Sequence, residues 1–186
     1  MVRFYHGKIE LDVPETIYYP REDSMLLAKV LEKEHLRGKS VLEIGCGSGF
    51  LSILTAKMGG KVTAIDINEE AVVTAGINAK INDADVDIFI SDLFARVKNK
   101  YDLIVFNPPY LPVDAGEMDL TYSGGLTGRE TIERFIVGVK HHMDAAGTVL
   151  LLISSLTGEK EVLELFEREG MDAEVIAREK IPWEEL

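Results

Sequence analysis

Cysteine is nearly absent from this chain, since Cys46 is the only one among its 186 residues. An internal disulfide is therefore impossible, and a cysteine-based metal site cannot be built. The four histidines show no metal-ligand spacing, and the adjacent pair His141-His142 stands where a helix is predicted to end, a position that favours cations. We expect no bound metal.

Long hydrophobic segments are also missing. No uninterrupted apolar run approaches the length needed to cross a bilayer. The first six residues lead into charged residues without the apolar core of a signal peptide. These two absences predict a cytoplasmic protein with no membrane partner.

Positive charge is scarce, because 20 lysines and arginines face 32 aspartates and glutamates, for a net charge of −12. A protein that binds duplex DNA needs a cationic surface to neutralise phosphates, and no such cluster is visible. Free nucleic acid is therefore disfavoured as a substrate, although a local basic patch would be compatible with it.

The chain does contain a regular alternation of short apolar runs and helical patterns from about residue 38 onward, which is typical of a parallel sheet covered by helices. Strands are predicted at 40–44, 61–65, 87–91, 102–106, 148–154 and 173–178, and helices at 50–58, 69–82, 129–143 and 159–168. Residues 1–37 form an extension with an extended start and a helix from Ser24 to about Glu34. The whole chain, 1–186, is predicted to be one domain with its α/β core at 38–186.

A glycine loop follows the first core strand in the sequence Val41-Leu42-Glu43-Ile44-Gly45-Cys46-Gly47-Ser48-Gly49. Doubly wound sheets bind nucleotides at this turn, where glycines let a ligand approach the backbone. The G-x-G-x-G spacing places Phe50 where the dinucleotide fingerprint has its third glycine. Glu43 would repel a pyrophosphate but suits an ammonium group, so the loop favours S-adenosylmethionine.

Two further acids follow the next strands, Asp66 after Val62-Thr63-Ala64-Ile65 and Asp92 after Ile90-Ser91. Because ligands bind at the carboxyl ends of strands in open α/β sheets, Asp66 is predicted to accept hydrogen bonds from ribose hydroxyls. Asp92 is predicted to accept from the adenine amino group, with Leu93 supplying an amide and an apolar contact. The predicted cofactor-binding residues are Ser24, Glu43, Gly45, Cys46, Gly47, Gly49, Asp66, Ile67, Asp92, Leu93 and Asn107.

The predicted catalytic residues are Asn107-Pro108-Pro109-Tyr110, which follow a buried strand. The prolines have no N–H to donate, so the backbone offers rigid carbonyl acceptors and Asn107 adds a side-chain carbonyl. Two convergent acceptors suit the hydrogens of an –NH2 group, and Tyr110 can stack on a flat target. This arrangement indicates methylation of an amide or amino nitrogen through orientation and electrostatics.

These motifs resemble the HemK/PrmC-type N-methyltransferases, whose class I S-adenosylmethionine methyltransferase fold is a Rossmann-like three-layer α/β/α sandwich. The stretch Tyr18-Tyr19-Pro20-Arg21-Glu22-Asp23-Ser24 is similar to one in the eukaryotic and archaeal branch, where it lines the cofactor pocket with the Ser24 position near the methionine carboxylate. The glycine-rich segment Ser123 to Gly128 also resembles the family's sequence after the catalytic motif.

The resemblance implies N5-methylation of the glutamine in the Gly-Gly-Gln motif of a class-one translation release factor. It also implies a small zinc-binding activator protein as partner, and strand order 3-2-1-4-5-7-6. The apolar segment Val86 to Ile90, which this order places at a sheet edge, is a candidate contact for that partner.

Other functions stay open, because the same motif occurs in adenine-N6 and guanine-N2 methyltransferases of DNA and RNA. Methylation of another protein side chain, or a non-enzymatic scaffold that binds the cofactor, would also fit. Two departures from the family pattern stand out: the chain has only about 37 residues before its core, and only 179–186 follow the last predicted strand.

Overall fold

The computed structural model describes residues 1–108 and 129–180. The first part contains β1 (Val2–His6), β2 (Ile9–Val13), α1 (Glu22–Leu31), β3 (Ser40–Ile44), α2 (Phe50–Lys57), β4 (Lys61–Asp66), α3 (Glu69–Ile81), β5 (Val86–Ile90) and β6 (Tyr101–Phe106). The second part contains α4 (Glu130–Val139), a 3₁₀ turn (Lys140–His142), β7 (Met143–Leu151) and α5 (Glu159–Arg168). Across both parts, no helix is long and apolar enough to span a membrane.

Five parallel strands form the central sheet in the order β5-β4-β3-β6-β7. Their register places Ile44 of β3 opposite Ile65 of β4 and Phe106 of β6. The carboxyl ends of these three strands are therefore level. This order confirms the predicted arrangement 3-2-1-4-5 for the first five strands of the core.

Successive side chains of each strand point to opposite faces of the sheet, and helices cover both faces. On β3, Val41 packs in one hydrophobic cluster and Leu42 and Ile44 pack in another. The first cluster contains residues of β1, β2, α1, α2 and α3, and the second contains residues of α4 and α5. The predicted three-layer α/β/α sandwich is confirmed.

The extended start of the chain is an antiparallel hairpin, β1 with β2, that docks against α3 through two buried asparagines. Asn78 accepts from the backbone N–H of Asp12 (2.9 Å) and donates to its carbonyl (3.1 Å). Asn82 bonds the N–H and carbonyl of Glu10 in the same way, at 3.0 and 2.7 Å. Asn78 also donates to the carbonyl of Ser48 (2.9 Å), so the hairpin is tied to the glycine loop.

The predicted strand at 173–178 is wrong, because residues 171–180 form no strand or helix. Most of this segment is exposed, and a strand without a ladder partner leaves its backbone groups to water. The boundary between α4 and β7 was also misplaced. The helix ends at Val139 and β7 begins at Met143, with Gly147 inside the strand near a register irregularity opposite Tyr101 to Leu103.

Replacing Asn78 with alanine should lower the free energy of unfolding by about 2–3 kcal/mol, because it removes three hydrogen bonds and leaves partly buried backbone groups unpaired. Val73→Ala on the exposed face of the same helix is the matched control and should change stability by less than about 0.5 kcal/mol. Urea titration measures both. Equal stability of the two variants would show that the asparagine contacts do not hold the hairpin.

Candidate active site

The glycine loop between β3 and α2 is anchored on the neighbouring strand. The backbone N–H groups of Gly45 and Cys46 both donate to the carbonyl of Ile65, at 2.8 and 3.0 Å. Gly49 has a φ of +84° and caps α2, and a Cβ on it would lie 3.0 Å from the Cβ of Ala75. Gly47 has a φ of +51°, but a Cβ on it would meet nothing within 4 Å. Glycine at position 49 is therefore favoured by its positive φ together with close packing, whereas Gly47 borders space that no other described residue fills.

Asp66 connects the end of β4 to this loop. Its carboxylate accepts from the backbone N–H of Gly47 and from that of Asn68, both at 2.9 Å. Burial raises the pKa of Asp66, and the two backbone hydrogen bonds oppose that rise. Each carboxylate oxygen has a further lone pair, so the group can still accept from a ligand.

Glu43 is buried beneath the loop, where the hydroxyl of Ser52 on α2 donates to its carboxyl group. Loss of hydration raises the pKa of Glu43 to about 8, although the Ser52 hydrogen bonds act in the opposite direction. The nearby Asp66 carboxylate raises it further. At neutral pH the ligand-free protein therefore holds Glu43 mainly in its protonated form.

At the third strand end, Asp92 lies partly exposed after β5 and forms an ion pair with Arg134 of α4 at 2.7 Å. Leu93, next to it, is buried with a φ of +44°, an uncommon conformation for a residue other than glycine and one found at functional sites. Ile67 follows Asp66 and is 54% exposed. The strand ends thus present acidic and apolar groups on one edge of the sheet.

Asn107 follows β6 on the same edge, and its amide is held from α1. The Nδ2 donates to a carboxylate oxygen of Asp23 at 3.0 Å. The Oδ1 is buried and has no hydrogen-bond partner among the described residues, and Pro108 after it is buried as well. Ser24 is buried beside Asp23, to which its hydroxyl donates. Pro109 and Tyr110, predicted with Asn107 as catalytic, lie outside the described residues, as does the segment Ser123 to Gly128.

Close contacts join four predicted residues to the glycine loop. Asp66 accepts from Gly47 and lies near Glu43. Ser24 and Asn107 share Asp23 as a partner, and a Cβ on Gly45 would lie 3.9 Å from the carbonyl oxygen of Asn107.

Sequence reasoning missed three partners of predicted site residues. Asp23 contacts Asn107, Ser52 contacts Glu43, and Arg134 contacts Asp92. The sequence placed Asp23 only within the stretch that resembles a cofactor-pocket segment and gave it no contact of its own. Its burial was the missing signal, since an unpaired aspartate is almost never fully buried.

Residues 22–180 match the family model "Methyltransferase small domain". A protein from Methanocaldococcus jannaschii, provisionally named as a protein N5-glutamine methyltransferase, is 44% identical over 184 residues, covering 96% of this chain and 92% of that protein. The release factor glutamine methyltransferase of Lactococcus lactis is 36% identical over 115 residues, covering 60% of this chain and 43% of that protein. Among solved structures, a ribosomal protein L11 methylase from Lactobacillus delbrueckii is similar with a TM-score of 0.72 and 23% identity, covering 90% of this chain and 79% of that one.

Glu43 should make the ligand-free protein less stable as pH rises. Its pKa rises from 4.5 to about 8 on folding, so its stabilising contribution is complete below about pH 4.5 and lost as pH passes about 8. The expected loss is up to about 1.4 kcal/mol per pH unit in that window. Glu43→Gln should remove this slope, so its stability relative to the wild type should increase between pH 5 and pH 8.

Urea titrations between pH 5 and pH 8 measure this slope, with Glu164→Gln on the exposed face of α5 as the control that should leave it unchanged. The same slope in the wild type and Glu43→Gln would show that Glu43 is ionised in the folded protein.

Proposed function

This chain belongs to the methyltransferase small-domain family, and from that premise we propose that it methylates the N5 nitrogen of a glutamine in a protein. The cofactor is S-adenosylmethionine, whose sulfonium supplies an activated methyl group. The proposed target is the Gly-Gly-Gln glutamine of a class-one translation release factor. Because this substrate acts in translation termination, we propose a cytoplasmic enzyme.

The unpartnered Oδ1 of Asn107 is the observation that carries the proposal. A buried acceptor without a donor costs about 1–3 kcal/mol, and such groups persist where a ligand completes them. A target N–H is a suitable donor. With the carbonyl of Pro108 as the second acceptor, the pair fits the two hydrogens of a primary amide.

The cofactor fits the same edge of the sheet. The open space beside Gly47 allows a ligand to lie against the loop backbone, and the Asp66 carboxylate next to it retains lone pairs for ribose hydroxyls. We assign the adenine end to Asp92, Leu93 and Ile67, and the methionine end to Glu43 and Ser24. Gly45, Cys46 and Gly49 complete the assigned loop contacts.

Cofactor binding is coupled to release of a proton from Glu43. In the ligand-free protein burial raises its pKa to about 8, whereas a neighbouring ammonium group favours the carboxylate. Binding of the methionine ammonium near Glu43 at neutral pH therefore releases a proton, and affinity rises with pH up to about 8. The hydroxyl of Ser52 remains as a donor to the carboxylate.

The chain's residues act on the target nitrogen by orientation. An amide nitrogen is a poor nucleophile because its lone pair is delocalised into the carbonyl. Accepting both N–H groups at positions that suit a tetrahedral nitrogen directs its lone pair toward the methyl carbon, and these hydrogen bonds strengthen as positive charge develops on nitrogen. Water can take the proton afterwards, so no strong base is needed.

A protein target is favoured over nucleic acid by the charge of −12, because phosphate backbones require cationic surfaces. The test is transfer of tritiated methyl groups to a purified archaeal release factor, set against tRNA, rRNA and DNA. We expect label in the release factor alone, and none after its Gly-Gly-Gln glutamine is replaced. Label on glutamine cannot come from self-methylation, since the enzyme contains no glutamine.

Replacing Asn107 with alanine should slow the single-turnover rate by about 100- to 1000-fold, the usual cost of one preorganised hydrogen-bonding group. Affinity for S-adenosylmethionine should stay within about threefold, because the lost interaction is made with the target nitrogen. Calorimetry, quench-flow and a melting curve on one preparation separate these effects. A folded Asn107→Ala protein with a normal rate would place the catalytic site elsewhere.

We further propose a small zinc-binding activator protein as partner. Strand β5 lies at the end of the sheet and pairs only with β4 within the described part of the chain, which leaves an edge open for strand addition. Helix α3 packs on β5, and its Val73, Ile77 and Ile81 are each about half exposed at four-residue spacing. This aliphatic stripe supports an apolar contact beside the strand edge.

Ile77→Glu should weaken binding of a purified zinc-binding activator from an archaeal source by at least about tenfold, because it puts a charge into an apolar contact. Val137→Glu is the matched control, since Val137 is equally exposed but lies on α4, in the other helical layer. Calorimetry or gel filtration measures both. If the wild-type chain is fully active alone and shows no affinity for the activator, the proposed partnership is wrong.

A further inference from the structure

Asp23 is the one aspartate in the described residues whose carboxylate contacts the amide of Asn107. It lies in the first turn of α1 and is only 3% exposed. One of its oxygens accepts from the backbone N–H and the hydroxyl of Ser24, and the other accepts from Nδ2 of Asn107 at 3.0 Å. The helix of the N-terminal extension therefore reaches the catalytic asparagine at the end of β6.

From this contact we infer that Asp23 is a positioning residue that fixes and polarises the Asn107 amide. An ionised carboxylate can only accept hydrogen bonds, so the –NH2 end of Asn107 must face it. Turning the amide over would set Oδ1 against a carboxylate oxygen. The carboxylate thus determines which end of the amide is available to a substrate.

The other end of the same amide gives the second observation. Within the described residues, Oδ1 is buried and has no hydrogen-bond partner. Turning the amide over would put Nδ2 in that unpaired position instead. Leaving it unpaired costs free energy, and the Asp23 contact is what holds it in that orientation. Oδ1 of Asn107 is therefore an unoccupied acceptor at the place where the proposed target presents its N–H.

The carboxylate also changes the amide electronically. Hydrogen bonds to an ionised group are roughly twice as strong as neutral ones, and linked hydrogen bonds polarise one another. Donation from Nδ2 to Asp23 places more negative charge on Oδ1, which makes it a better acceptor. The gain is largest when the target nitrogen becomes positive, so it acts on the rate of methyl transfer.

A purely structural role for Asp23 has a different signature. Acids in the first turn stabilise a helix through its dipole, and removing one lowers stability without a specific effect on Asn107. Glu161 in the first turn of α5 is an exposed acid of that kind. Glu161→Gln is therefore the control for the dipole effect.

The contact can be tested without any substrate, because the chain has five asparagines and no glutamine. Its ¹⁵N–¹H spectrum should contain five side-chain –NH2 pairs, and the Asn107 pair is assigned as the one lost in Asn107→Ala. In Asp23→Ala that pair should shift and lose protection from solvent exchange, while the pairs of Asn78 and Asn82 stay in place. In Asp23→Asn, which preserves the shape, it should shift less. An Asn107 pair that does not respond to either substitution overturns the inference.

The consequence for catalysis rests on the proposed function and is tested by a double-mutant cycle. Asp23→Ala should slow single-turnover methyl transfer to the release factor by about 10- to 100-fold, a usual cost of removing a supporting partner. The double variant with Asn107→Ala should be no slower than Asn107→Ala alone, within about twofold, because Asp23 acts through that amide. Glu161→Gln should keep the wild-type rate.

If the rate losses of Asp23→Ala and Asn107→Ala multiply in the double variant, the positioning role is overturned, because Asp23 then acts independently of Asn107. If the wild-type chain transfers no methyl group to the release factor, the proposed function fails. The spectrum of Asp23→Ala still decides whether Asp23 holds the amide, so the two failures are distinguishable.

Discussion

The parallel alignment of β3, β4 and β6 is the constraint on which the site depends. Because their carboxyl ends are level, the glycine loop, Asp66 and Asn107 meet at one edge of the sheet although they are far apart in the sequence. The loop itself is pinned to this edge by two hydrogen bonds to the carbonyl of Ile65. A change in register would move every one of these groups relative to the others.

Buried polar groups fall into two classes: some are fully hydrogen-bonded within the protein, and others cost stability. Asn78 and Asn82, which hold the N-terminal hairpin, have donors and acceptors satisfied by the backbone. At the site, Glu43 is buried with a raised pKa, and Oδ1 of Asn107 is buried without a partner among the described residues, so each costs stability in the ligand-free protein. This contrast is expected where a cofactor and a target nitrogen complete the interactions.

The sequence predicted most of the sheet and the place of the site, because strand periodicity, the glycine loop and the residues at the strand ends are local signals. It did not predict the contact of Asp23 with Asn107, since the two are 84 positions apart and meet only through packing of α1 against the core. The strand at 173–178 was predicted from a local apolar pattern and from family order. A local pattern does not reveal whether a neighbouring strand is present to form the ladder.

The central claim is that Asn107 and its surroundings direct a methyl group onto the N5 nitrogen of one glutamine. Tandem mass spectrometry of a release factor incubated with enzyme and trideuteromethyl-labelled S-adenosylmethionine tests this most directly. The account predicts one added labelled methyl group, located by fragment ions on the glutamine of Gly-Gly-Gln and absent with Asn107→Ala enzyme. A label on any other residue, or an equal yield from the variant, would contradict it.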